Sequence, residues 1–166
     1  MRQKKIVVIV LMVAISMFPA VLKAQTASAP AAPTISETEV REFVNKYVDR
    51  FKARDIDQFM ELFSKEAIEN RMVPYPDIRK AYEKTFAMTE QFLYYVNLLV
   101  VQTQTKSAFA SGRYRISQTL AGGDETKMLR GGIQWELVRE GDALKILRLN
   151  FGKDLEPPKS WLREHL

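Results

Sequence analysis

Apolar residues fall at Val40, Phe43, Val44, Tyr47, Val48 and Phe51, in alternating steps of three and one, and so trace one stripe of an amphipathic helix. Ser36-Glu37-Thr38-Glu39 ahead of the stripe is a capping box, a hydroxyl for the first-turn amides with a glutamate three positions on. Asp55-Ile56-Asp57-Gln58 is a second start signal, and Phe59, Met60, Leu62 and Phe63 supply the buried side of a short helix. Pro74-Tyr75-Pro76 predicts a loop, after which Asp77 caps a third helix with Ile78, Ala81, Tyr82, Thr85 and Phe86 turned inward. Near Phe92 the period changes. Segments 93–105, 108–120, 127–139 and 143–151 are rich in β-branched and aromatic residues and read as four strands, with turns at Gly122-Gly123 and Glu140-Gly141. Three helices followed by an antiparallel meander predict an α+β domain with its helices on one face of the sheet.

The last hairpin permits a finer expectation. With Glu140-Gly141 as a two-residue turn, Trp135 lies opposite Ile146 and Leu137 opposite Leu144. Together with Ile133 these residues form one apolar face. Leu147, Leu149 and Phe151 fall on the other, with Gln134 and a Glu136–Lys145 pair. An antiparallel sheet with large apolar side chains on both faces needs two covers. The helices supply one. A second copy of the chain is the simplest other, which assigns Ile133, Trp135, Leu137, Leu144 and Ile146 to a homodimer interface.

Composition narrows the chemistry. There is no cysteine, so disulfides, thiol nucleophiles, cysteine–zinc sites and a lipoprotein anchor are excluded, and the single histidine excludes a histidine-cluster metal site. The formal charge of +5 misleads. Arg2, Lys4, Lys5 and Lys23 lie in the first 24 residues, which hold no acid, so the rest carries 21 basic against 20 acidic residues, or +1. No nucleic-acid partner follows from that balance. Residues 1–24 instead have the anatomy of a secretory signal peptide: a basic start, an apolar run from Ile6 to Phe18, Pro19 and small residues around Ala24. The alternative is an uncleaved membrane anchor, since Ile6–Leu22 reaches the lower limit of the ~17–25 residues needed to span. The expected location is the bacterial periplasm or the exterior. Residues 25–35 read as an Ala/Pro-rich linker, 36–153 as the domain and 154–166 as a tail.

The run Tyr47-Val48-Asp49-Arg50-Phe51-Lys52-Ala53-Arg54-Asp55-Ile56-Asp57-Gln58-Phe59-Met60-Glu61-Leu62-Phe63-Ser64-Lys65-Glu66-Ala67 resembles the nuclear transport factor 2-like superfamily, including its SnoaL-like and ketosteroid isomerase-like members. Ile78–Phe86, Gly132-Ile133-Gln134-Trp135-Glu136-Leu137 and Leu144-Lys145-Ile146 extend the resemblance to the third helix and the closing strands. It implies a strongly curved sheet wrapped on a helix, a cone with an internal pocket, and frequent homodimers. It implies no single function, because this fold hosts many. In the isomerase pattern Tyr47 falls on the position of the enolate's hydrogen-bond donor. The base position falls on Arg71, beside Asn70, and the second donor near Gln134, and neither Arg71 nor Gln134 can replace a carboxyl group.

Two readings follow. In the first, an exported non-catalytic module holds a small apolar ligand, or an envelope protein, through a pocket or rim built on Tyr47, Tyr82, Gln134, Leu147, Leu149 and Phe151, with no cofactor. In the second, an isomerase, lyase or cyclase uses Tyr47 as donor, Glu69 as base and Arg71 as positive charge, with Glu69 and Arg71 both turned inward from an extended segment. His165, next to the C-terminus after Pro157-Pro158, reads as a solvated side chain before a catalytic base, and Asp55 and Asp57 read as helix caps before metal ligands. Arg113 and Arg115 share one face of a strand near Arg130, a cluster suited to an anion or to solvent.

Overall fold

The computed structural model describes residues 34–123 and 125–155. The leader, all but Thr34 and Ile35 of the linker, and all but Asp154 and Leu155 of the tail, His165 included, lie outside the described residues. Helix α1 spans Glu37–Ala53, α2 Ile56–Met60 and α3 Tyr75–Ala87. The strands are β1 Phe63–Glu69, β2 Val73–Pro74, β3 Thr89–Thr103, β4 Ser107–Leu120, β5 Thr126–Glu140 and β6 Ala143–Gly152. They form one curved, unclosed sheet in the order β2-β1-β6-β5-β4-β3.

Ser36 caps α1 by accepting from the Glu39 amide at 3.1 Å. The Glu39 carboxylate accepts from Arg139 of β5 at 2.7 Å and so ties the helix to the sheet. Ile35 and Val40, at the N′ and N4 positions, are both fully buried, the arrangement of a hydrophobic staple. The domain therefore begins one residue earlier than its sequence suggests, and Ile35 belongs to the core rather than to the linker. Asp55 caps α2 by accepting from the Gln58 amide. The Pro74-Tyr75-Pro76 loop is absent: Pro74 is the N-cap of α3, and Tyr75 and Pro76 already lie in its first turn. Proline fits there because first-turn amides have no partner within the helix. Asp77 stands inside that turn, paired with Lys80, and is not the cap.

The meander β3–β6 is antiparallel, while β1 joins its edge in parallel with β6 and makes the sheet mixed. Segment 63–69 escapes sequence reading as a strand because it is short and follows helix signals. The closing hairpin turns at Gly141-Asp142, with Gly141 at φ 59, not at Glu140-Gly141. Leu137 therefore opposes Ile146 and Arg139 opposes Leu144, a slip of two residues that leaves each on its predicted face. Leu147 then forms a bulge. Beyond it Leu149 opposes Trp135, Phe151 opposes Ile133, and Arg148 replaces Lys145 as the partner of Glu136 at 2.8 Å.

The bulge sends Leu149 to the same face as Ile133, Trp135, Leu137, Leu144 and Ile146, and that face is the core under the helices. Trp135 is 0% exposed, edge-on to Tyr47 of α1 with ring centroids 5.6 Å apart. These five residues, assigned from sequence to a dimer interface, are instead interior, and no second copy can reach them. The error has a simple cause: periodicity sorts side chains into two faces but does not say which face the helices take.

Candidate functional site

The aromatic stripe of α1 meets the inner rows of β3, β4 and β5 around a cavity of about 750 Å³. Tyr47, Tyr82, Tyr94, Ile116, Ile133 and Phe151 are among its walls. Met88, Leu120, Ala121 and Leu129 stand at the end where α3 meets the β4–β5 turn. Met88 and Leu129 are half exposed, which gives the opening an apolar rim. Gln118 lines the same end and donates to Thr89 Oγ1 at 2.7 Å, while Thr89 donates to the Thr85 carbonyl at 2.7 Å.

Four phenols, Tyr47, Tyr82, Tyr94 and Tyr114, supply most of the polar side of the cavity, with Thr85, Gln118 and Lys127. The hydroxyls of Tyr94, Tyr47 and Tyr82 are hydrogen-bond neighbours in that order. Tyr82 donates to Glu69 Oε2 at 2.9 Å. Burial pushes these three phenols well above the ordinary tyrosine range, and the Glu69 charge adds to this for Tyr82 and Tyr47. They stay protonated at physiological pH and keep their donor role. Burial also raises Glu69, and the Tyr82 hydroxyl bond offsets part of that rise.

Glu69 is 7% exposed and stands behind Tyr82; it is not part of the cavity wall. Its position is set by the turn that follows. Asn70 and Arg71 take φ 48 and 67, and Met72 N–H donates to Glu69 O at 3.1 Å, closing a tight turn within the three-residue loop 70–72 that leads into β2. Asn70 N–H donates to Leu149 O at 2.8 Å and Asn70 Oδ1 accepts from Phe151 N–H at 2.9 Å, clamping the end of β1 to β6.

The same turn corrects the predicted inward pairing of Glu69 with Arg71. The segment is extended only as far as Glu69, and Arg71 is exposed on the hairpin tip. Of the residues singled out for a pocket, Tyr47, Tyr82 and Phe151 line it. Gln134 does not: it alternates with Ile133 and Trp135 and faces away from the helices. Leu147 is taken up by the bulge, and Leu149 is packed in the core away from the cavity. Tyr94, Tyr114, Gln118 and Met88 were not found from sequence. The alternation of β3 and β4 makes Tyr94 and Tyr114 inward candidates, but their cross-strand register, Tyr94 opposite Ile116 and Val96 opposite Tyr114, is a tertiary fact.

No protein-family model matches this chain, and no curated protein matches it by sequence. Solved structures do. A Novosphingobium aromaticivorans protein, proposed to be a scytalone dehydratase, superposes with a TM-score of 0.65 at 9% identity, over 71% of this chain and 83% of that one. A nuclear transport factor 2-like superfamily protein of Salmonella enterica gives 0.62 at 14% identity, over 73% and 92%. A Streptomyces avermitilis protein of the same fold family, proposed to be a dehydratase, gives 0.63 at 12%, over 72% and 96%. The chain has the nuclear transport factor 2-like fold; at these identities the likeness extends to the fold alone.

Proposed function

We propose that the protein is an exported binding module that takes a largely apolar small molecule, bearing a carbonyl or hydroxyl group, into the inner cavity without converting it. One observation carries this reading: the cavity is walled mainly by apolar side chains and protonated phenols, the one charged side chain of its lining, Lys127, is paired with Glu125 at 3.7 Å, and the nearby buried carboxylate, Glu69, stands behind Tyr82 and out of the wall. A general base must reach its proton within a hydrogen bond. Glu69 meets Tyr82 instead. The phenols recognise a ligand oxygen, and the apolar walls supply most of the affinity. The basic, apolar leader supports export.

The probe is 2-naphthol, an apolar bicycle with one hydroxyl, followed by its fluorescence. Saturable binding at one site is expected. Tyr47→Phe should weaken it about tenfold, the worth of one hydrogen bond at ~1–1.5 kcal/mol. Ile116→Trp, which fills the cavity, should abolish binding while the protein stays folded by circular dichroism. Binding unchanged by Ile116→Trp would contradict the reading.

The Tyr82–Glu69 bond favours a second reading, an isomerase, lyase or cyclase in keeping with the names of two structural neighbours. In it, the Glu69 carboxylate takes the Tyr82 hydroxyl proton as the Tyr82 oxygen takes a proton from a ligand carbon, Tyr47 donates to the oxyanion that develops, and the same relay run in reverse returns the proton to the ligand. Arg71, exposed at the hairpin tip, takes no part. This reading requires Glu69→Gln to abolish conversion with ligand affinity retained.

A further inference from the structure

The face of the sheet turned away from the helices carries a second site. Arg115 lies directly opposite Arg130, and Arg113, two residues along the same row, opposes Gly132. Tyr95 and Asn97 of β3 oppose Arg115 and Arg113 on the other side. Strand β6 pairs with β5 only as far as Gly152, opposite Gly132, and the chain turns there through Lys153 and Asp154. The result is a groove of about 540 Å³ lined by Tyr95, Arg113, Arg115, Arg130, Lys153 and Asp154.

Like charges directly opposite in an antiparallel pair destabilise a sheet. Elsewhere this chain avoids the problem: Arg50, Arg79, Arg139 and Arg148 each meet a carboxylate. The side chains of Arg113, Arg115 and Arg130 have no hydrogen-bond or ion-pair partner among the described residues. The outward positions around them are Leu93, Ser111, Ser117 and Met128, none of them acidic. Glu136, further along the same row of β5, is taken by Arg148. Asp154 is the single carboxylate in the lining, against four cations. The three guanidinium groups therefore keep their planar donor forks free, the arrangement that binds carboxylate or phosphate oxygens in pairs.

We propose that this groove binds a small organic polyanion with two or more oxyanionic groups, separately from the ligand of the inner cavity. The groove supplies convergent positive charge for the anionic groups and the Tyr95 ring, 64% exposed, for the carbon skeleton. A second copy whose two-fold axis passed through this groove would set one arginine cluster against its duplicate.

Isothermal titration of the protein with citrate and with inorganic pyrophosphate, at low ionic strength, tests the site; the two probes separate carboxylate from phosphate chemistry. One saturable site is expected for at least one probe. Arg130→Gln should weaken it about tenfold or more, as loss of a charge-assisted pair does. Arg115→Lys, which keeps the charge but not the fork, should give an intermediate loss. Arg41→Gln, on the exposed side of α1, should leave binding unchanged, as should Tyr47→Phe; these controls keep the groove's outcome distinct from that of the cavity. Four results would overturn the proposal: no saturable binding of either probe; equal binding by wild type and Arg130→Gln; binding of polymeric anions alone; or a dimer in sedimentation whose contact removes probe binding.

Discussion

Glu69 is held by two opposed effects. Burial disfavours its charge and raises its proton affinity, while the Tyr82 hydroxyl favours the carboxylate; burial is the larger, so the folded-state pKa lies above the unfolded one. The sign of the linkage follows. A carboxyl that binds its proton more tightly when folded contributes stability that is full below the ordinary carboxylate range and is lost as pH rises through the folded value. Denaturant midpoints measured from about pH 4 upward should fall more steeply for wild type than for Glu69→Gln, which has no proton to lose at that position. Parallel curves would mean that Glu69 is solvated. Tyr82→Phe removes the donor from a buried carboxylate and should cost about 1–3 kcal/mol, read from the same midpoints at neutral pH. At this scale the sequence was half legible. Tyr47 stands out because a helical stripe fixes its direction. Glu69 and Arg71 were misread together, because the pair of positive φ angles at Asn70 and Arg71 ends the alternation on which their joint direction depended.

At the scale of elements, the register of β5 against β6 decides what is core. Because Trp135 and Ile146 lie under α1 and not on a surface, Trp135→Glu should unfold the domain rather than separate two copies. An unpaired buried charge costs about 4–5 kcal/mol or more, and loss of the cooperative transition in circular dichroism is the measurement. The bend of β3 across β4 depends on Gly112. It lies opposite Leu98 at the β3 bulge, and a Cβ there would come within 2.5 Å of the Asn97 carbonyl oxygen. Gly112→Ala should therefore destabilise the fold although both residues are small, while Gly123→Ala at the β4–β5 turn, where a Cβ meets only Glu125 N at an ordinary 3.8 Å, should be nearly neutral. Thermal melts compare the two. Helices and the four long strands were legible because their periods are long and clean. The β1–β2 hairpin, the turn one residue further on and the Leu147 bulge were not, since each is set by contacts between segments rather than by the pattern within one.

At the scale of the whole molecule, β3 is an edge strand with Leu93, Tyr95 and Leu99 exposed, a template for unwanted pairing. Leu99→Lys should slow heat-induced aggregation, followed by light scattering, with stability changed by no more than about 0.5 kcal/mol. The sequence conveyed the α+β class and the likeness to a cone fold because both rest on element order. It did not convey which face the helices cover, and with that face inverted the core was taken for an interface. The structure separates two regions of distinct chemistry, an apolar cavity with protonated phenols under the helices and a cationic groove on the opposite side of the sheet.

The central claim is that the cavity holds its ligand without chemistry, because Glu69 touches Tyr82 and not the ligand. The most direct measurement is native mass spectrometry of the protein purified with whatever small molecule it retains, followed by incubation in heavy water and recovery of that molecule. One molecule per chain is expected, recovered with its mass unchanged at every carbon-bound position. Deuterium at carbon in the recovered molecule, lost in Glu69→Gln, would contradict it and establish proton transfer in its place.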